Sequence, residues 1–220
     1  MNTLEQYIIL KKKTNLIFDL DETICWLLLP WDKWDEKIAP FLQKKNRHIY
    51  KKYRLGRINL SDMQNKYVKL YPNIKKSFVT HNRKFERDYL DGIIPNQPLI
   101  KFIKKAYHSK KYNLYLWSSN TSLTVTSILD KYGLSNKFND IITRDSVLLL
   151  KPEIEGFEYL SSKSNSKMKK NYLSSFLFIG DSSSDEEAAK KAKISFFKID
   201  YFSQSQFSVQ QKKYKTANIN

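Results

Sequence analysis

The sequence predicts an α/β fold: a doubly wound parallel sheet with an all-helical segment inserted after its first strand. Three observations carry the prediction. Short apolar runs of strand length alternate with segments whose apolar residues recur at helical spacing. The runs at 14–23 (TNLIFDLDET), 112–120 (YNLYLWSSN) and 174–181 (SSFLFIGD) each close on acidic or hydroxyl side chains. Between residues 25 and 91 the strand signal gives way to helical spacing. Strands that alternate with helices form a parallel sheet covered on both faces.

Taken in order, residues 1–13 are a leader that adds a short helix or an edge strand. Leu16, Ile17 and Phe18 form the first core strand. From Cys25 to Asp91 the chain reads as all-helical, with Pro40 breaking or kinking the first helix. Ser61 reads as the N-cap of the next helix, which Pro72 ends, and a third helix covers about 74–90. DGIIPNQP at 91–98 is turn-rich punctuation, where the chain returns to the main domain. A helix with Leu99, Phe102, Ile103 and Ala106 on one side leads to the second strand. The next helix has Gly133 at its C-cap; FNDIIT (138–143) is the third strand, and EGFEYLSSK the helix after it. SNSKMKKN is a polar connector, SSFLFIGD the fourth strand, SDEEAAKKAKI a helix and SFFKID the fifth strand. The expected layout is a core of residues 1–24 and 91–202, a helical insert at 25–90 and a mobile polar tail at 203–220.

Composition narrows the classes. Charged residues at 28% and hydrophobic residues at 41% are globular values, and 220 residues suffice for a real core. Cys25 is the single cysteine, so no intramolecular disulfide forms, and a reducing, cytoplasmic setting is the simplest expectation. The first ten residues lack the basic start of a secretory signal, and no apolar stretch approaches a membrane span. A net charge of +17 draws phosphate-bearing partners. However, the basic residues are 33 Lys against 6 Arg, scattered along the whole chain, which argues against a dedicated nucleic-acid surface.

The first strand ends in Asp19 and Asp21, one residue apart and therefore on the same side of an extended chain. Two carboxylates so close resist joint ionisation unless a cation sits beside them or one of them holds a proton. The second strand ends in Ser118, Ser119 and Asn120, and the fourth in Gly180–Asp181 with Asp185 at the head of a helix. Lys151 follows the third strand, ahead of Pro152. Strand carboxyl ends line one crevice in a doubly wound sheet, so these groups converge there. Oxygen ligands suit Mg²⁺, and a hydroxyl with an ammonium can hold phosphate oxygens, a kit for phosphoryl transfer. Taken singly, Asp185 also reads as no more than helix-capping chemistry.

DLDET at 19–23, YLWSSN at 115–120, Lys151–Pro152 and IGDSSSDEEAAKKA at 179–192 resemble the four motifs of the haloacid dehalogenase (HAD) superfamily, in the right order. The insert after the first motif resembles the helical C1-type cap of its phosphoglycolate phosphatase-like and β-phosphoglucomutase-like members. The resemblance implies a Rossmann-like core and a Mg²⁺-dependent phosphatase acting on a small phosphorylated metabolite, a nucleotide or sugar phosphate among the options. It implies Asp19 as the nucleophile and Asp21 as the acid and base. Ser118 and Lys151 would bind the phosphoryl oxygens, with Ser119 and Asn120 beside them. Mg²⁺ would be held by Asp19, the Asp21 carbonyl, Asp181 and Asp185. Spacing from Gly133–Leu134 favours Ser118 as the phosphate hydroxyl, whereas the Ser–Asn dipeptide favours Ser119. Glu22 and Lys193 stand where many members carry glycine. A phosphomutase uses the same two aspartates, and a non-catalytic basic protein on the same fold is the alternative from another class. Trp26, Trp31, Trp34, Tyr50 and Tyr53 either stack a ring of the substrate or form the core of the insert, and core packing is the commoner use. The sequence leaves substrate identity and oligomeric state open.

Overall fold

The computed structural model describes residues 2–163, 172–203 and 207; the polar connector and nearly all of the tail expected from the sequence lie outside them. Five parallel strands form the main sheet: β1 (Asn15–Phe18), β4 (Asn113–Trp117), β5 (Asp140–Ile142), β6 (Phe176–Gly180) and β7 (Ser195–Lys198). Their order across the sheet is β5-β4-β1-β6-β7, so β1 is central and pairs with β4 and β6 in register, Phe18 facing Leu116 and Ile179. Every residue of β1 and β6 is buried, as in a sheet covered on both faces.

The side-chain period of two sorts the core into two layers. Leu16, Phe18, Leu114, Leu116, Leu177 and Ile179 pack on α1 (Asn2–Leu10), α5 (Gln97–Ser109) and α6 (Ser122–Lys131). Ile17, Tyr115, Trp117, Phe176 and Phe178 pack on α7 (Glu155–Lys163) and α8 (Ser183–Lys191). Helix α7 lies so close to β4 that a Cβ on Gly156 would stand 2.3 Å from the Trp117 indole nitrogen. The doubly wound reading therefore holds, and the helix termini follow ordinary chemistry. Asn96 caps α5 by accepting from the Leu99 amide, and Gly133, in left-handed backbone (φ +65°), follows α6.

The insert is helical over α2 (Trp31–Arg54), α3 (Leu60–Leu70) and α4 (Ile74–Tyr89), but its approaches differ from expectation. Cys25–Leu27 is a strand, β2, paired antiparallel with β3 (Ile93–Pro95). The segment expected to be helical from Cys25, and the one expected to be plain turn at 93–95, thus form a two-stranded stalk on which the chain leaves and re-enters the core. Three residues on each side are too few for a periodicity to register, and pairing decides their state. Helix α2 runs through Pro40 and breaks instead at Asn46 (φ −160°). There the Asn46 carbonyl oxygen of the side chain accepts from the His48 and Ile49 amides, both at 3.2 Å, starting a second helical segment. The Tyr67 hydroxyl lies 2.8 and 2.6 Å from the Leu42 and Asn46 carbonyls, sharing its one proton between groups that the break frees. Helix α3 starts two residues before the expected position, because Asn59 and not Ser61 accepts from the Asp62 amide. Trp26, Trp34, Tyr50 and Tyr53 are buried as packing residues, Trp26 against Phe202 beside the stalk and the other three in the large cluster that runs into the insert. Among the described residues no helix is long and apolar enough to cross a membrane.

Candidate active site

The site stands at the carboxyl ends of β1, β4 and β6. The ladder between β1 and β6 runs one residue past the strand, with the Asp19 amide bonded to the Ile179 carbonyl at 3.0 Å, so Asp19 is held by sheet backbone. Glu22 then takes the left-handed conformation (φ 56°), as does Lys193 (φ 57°) after α8. At both positions, where glycine would be unstrained, a long side chain tolerates the turn. The turn folds Asp21 back so that its Oδ1 accepts from the amides of Glu22 at 3.1 Å and Leu27 at 2.8 Å.

Lys151 is buried at the centre, on a loop whose Lys151–Pro152 peptide is cis. Its Nζ donates to Asp19 Oδ1 at 2.5 Å, Asp185 Oδ1 at 2.6 Å and the Trp117 carbonyl at 3.0 Å, an acceptor for each of its three protons. It also lies 5.2 Å from the centre of the Phe178 ring. Asp185 is fully buried as well. Ser182 is the N-cap of α8 and Asp185 completes the reciprocal box, its Oδ2 accepting from the Ser182 amide and hydroxyl at 3.1 and 2.7 Å. Its helix-capping role and its place beside Lys151 thus coexist. A Cβ on Gly180 would come within 2.6 Å of Asp185 Oδ2, so the glycine makes room for the carboxylate. Asp181 accepts from the Thr23 hydroxyl at 3.2 Å.

Asp19, Asp181 and Asp185 each offer a carboxylate oxygen within 4.8 Å of the others. Burial and the neighbouring charge of Asp185 push the Asp19 carboxyl up to about 7, against the pull of Lys151. Burial together with Asp19 and Asp185 pushes Asp181 up to about 8. Burial and then Glu22 raise Asp21, which the Leu27 amide only partly offsets. For Lys151 burial works downward, but Asp185 and Asp19 together outweigh it and the ammonium is held more firmly than usual. A single ammonium among these carboxylates leaves the cluster short of positive charge, and an oxygen-only donor set suits a hard divalent cation.

A cleft of about 300 Å³ opens over this cluster, lined by Asp19, Asp21, Lys151, Asp181, Ser119 and Asn120 on the core side and by Trp31, Asn59 and Ser61 from the insert. Ser118 is buried with its hydroxyl donating to the Asn120 side-chain carbonyl at 3.0 Å, whereas Ser119 borders the cleft. Of the site residues expected from the sequence, Asp19, Asp21, Ser119, Asn120, Lys151 and Asp181 thus line one cleft, while Ser118 and Asp185 are buried and bonded to Asn120 and Lys151 of that lining. Sequence reasoning missed the polar partners from the insert. Asn65 of α3 brackets Leu150, next to Lys151, with two 2.8 Å bonds to its amide and carbonyl. Glu86 of α4 accepts from the Thr121 amide at 3.1 Å and from its hydroxyl. Arg144, in the loop after β5, also lines the cleft. Isolated Asn, Glu and Arg residues in amphipathic helices and loops carry no local signal.

The fold is thus a parallel α/β sheet whose acidic strand tips gather about one buried ammonium. The chain belongs to the haloacid dehalogenase-like hydrolases, whose family profile matches residues 16–199. A search of the curated proteins finds no match. Among solved structures, the chain is similar to a candidate HAD hydrolase, YfnB, from Bacillus subtilis bound to magnesium, at 18% identity and TM-score 0.54, covering 94% of this chain and 99% of that one. It is also similar to a candidate haloacid dehalogenase-like hydrolase from Bacteroides fragilis (19% identity, TM-score 0.56, covering 90% and 93% of the two chains). A third similar structure is a candidate phosphoglycolate phosphatase from Lactobacillus plantarum (15%, TM-score 0.55, covering 90% and 91%). At these identities the structures speak to the fold, and the family profile to the class of enzyme.

Proposed function

We propose that this hydrolase is a Mg²⁺-dependent phosphatase that cleaves a small phosphate monoester through an aspartyl-phosphate on Asp19. The observation that carries the reading is the gathering of Asp19, Asp181 and Asp185 within 4.8 Å around the Lys151 ammonium. In this reading residues 1–24 and 91–202 are the core and 25–90 a cap closing over the cleft, whose 300 Å³ lies at the small end of ligand sites and suits a metabolite.

Asp19, Asp181, Asp185 and the Asp21 carbonyl would hold Mg²⁺. Once bound, the ion screens the carboxylates from the incoming phosphoryl group. Asp19 attacks phosphorus in line, forming its O–P bond as the bond to the leaving oxygen breaks. Asp21 hands its proton to that leaving oxygen, then accepts one from the water whose oxygen displaces Asp19 from phosphorus. Its bonds from Glu22 and Leu27 fix the carboxyl for both transfers. Lys151 orients Asp19 and, with the Ser119 hydroxyl and Asn120 at the cleft wall, steadies the phosphoryl oxygens. Ser118, engaged with Asn120, shapes that turn. The test is phosphate release over a panel of metabolite esters, with and without Mg²⁺. Asp19→Asn is expected to lower kcat by at least ~10⁴-fold. Release that persists in the variant would overturn the assignment of the nucleophile.

A further inference from the structure

Two buried side chains at the seam between insert and core have N–H groups that find no acceptor among the described residues: Nε of Arg144 and Nε2 of Gln64. Arg144 is 4% exposed and Gln64 2%. They hold each other through a bond from Arg144 Nη1 to Gln64 Oε1, and Arg144 also borders the cleft. The backbone of Arg144 is pinned on both sides, its amide to the Asn120 carbonyl at 2.9 Å and its carbonyl to Lys75 Nζ at 2.7 Å. The guanidinium is therefore fixed beside the tip of β4. Carboxylates nearby are committed elsewhere. Glu86 serves Thr121, and Asp145 takes bonds from Arg83 at 2.5 Å and the Ser122 amide at 2.6 Å. Burial pushes the guanidinium down to about 10, with Glu86 and Asp145 only partly offsetting it. A buried, always-charged fork without a carboxylate of its own is costly unless a ligand anion completes it.

We propose that Arg144, supported by Gln64, binds a second anionic group, a carboxylate or a phosphate, carried on the leaving part of the substrate. The inference rests on the phosphatase reading and narrows it to phosphate esters of acids or to bisphosphates. Were the pair a plain strut between insert and core, its loss would change stability and leave substrate preference alone.

The test uses the full chain with Mg²⁺ and two matched pairs of esters: 3-phosphoglycerate against glycerol 3-phosphate, and fructose 1,6-bisphosphate against fructose 6-phosphate. The expected result is a kcat/KM ratio of about 10- to 100-fold in favour of the doubly anionic member of one pair, the size of one charge-assisted contact. Which pair responds tells carboxylate from phosphate. Arg144→Gln should bring the ratio to within about 3-fold of unity. Gln64→Glu, which keeps the volume and gives the guanidinium a carboxylate of its own, should do the same in a chain that still folds. Ratios near one in both pairs for the unaltered chain, or a preference untouched by both substitutions, would overturn the inference. If no ester is hydrolysed, the phosphatase reading fails by itself. Calorimetric binding of the same pairs then decides for Arg144: a preference lost in Arg144→Gln sustains it, and equal or absent binding overturns it.

Discussion

On the floor of the cleft every proton of the Lys151 ammonium has an acceptor, and Asp185 is bonded through both oxygens. Along the wall shared with α3, Arg144 and Gln64 are as deeply buried, yet each has an N–H without an acceptor among the described residues. The floor is built from strand tips and a helix N-terminus, whose positions the sheet fixes. The wall is built from a helix of the insert and a loop, meeting across 80 residues of chain. The difference teaches where chemistry and selectivity reside. A fully matched network holds reacting groups still, and an incompletely matched one waits for a ligand.

The comparison can be broken at several points. Lys151→Met strands two buried carboxylates and should cost about 3–5 kcal/mol of unfolding free energy in urea titrations. A much smaller loss would mean that water reaches the floor and that the matching counts for little. Gly180→Ala thrusts a methyl group against Asp185 and should cost about 1–3 kcal/mol. It should also raise the Mg²⁺ concentration needed for half-maximal phosphate release. Asn65→Ala removes both bonds to Leu150 and should cost about 1–2 kcal/mol. Activity should fall with it, because the Lys151 loop loses its clasp. Lys69→Ala, which breaks the half-exposed 2.7 Å pair with Glu153 at the outer edge of the same seam, should shift stability by less than about 1 kcal/mol.

The sheet, its two-sided covering and the acidic floor were legible in the sequence because each is written in consecutive residues. Asp19 and Asp21 sit two apart on a strand tip, and Gly180, Asp181 and Asp185 span the turn into one helix. The stalk of β2 and β3 was not legible, since three-residue strands some 70 positions apart are defined only by meeting. Nor was the break at Asn46. Pro40 is the stronger local signal, but a cap at Asn46 and the bonds from Tyr67 place the break six residues later. The wall was illegible for the same reason. Gln64, Asn65 and Glu86 are ordinary polar residues until the insert folds down and brings them to the tips of β4 and β5, where Arg144 already stands.

Asp19 continues the central strand of the sheet, which has neighbours on both edges and side chains packed on both faces, with no exposed residue along it. Amide protons of Ile17 and Phe18 should then exchange with solvent only when the whole molecule opens, later than those of α3 or α4. Whatever the insert does as ligands come and go, Asp19 is anchored to the last part of the chain to let go.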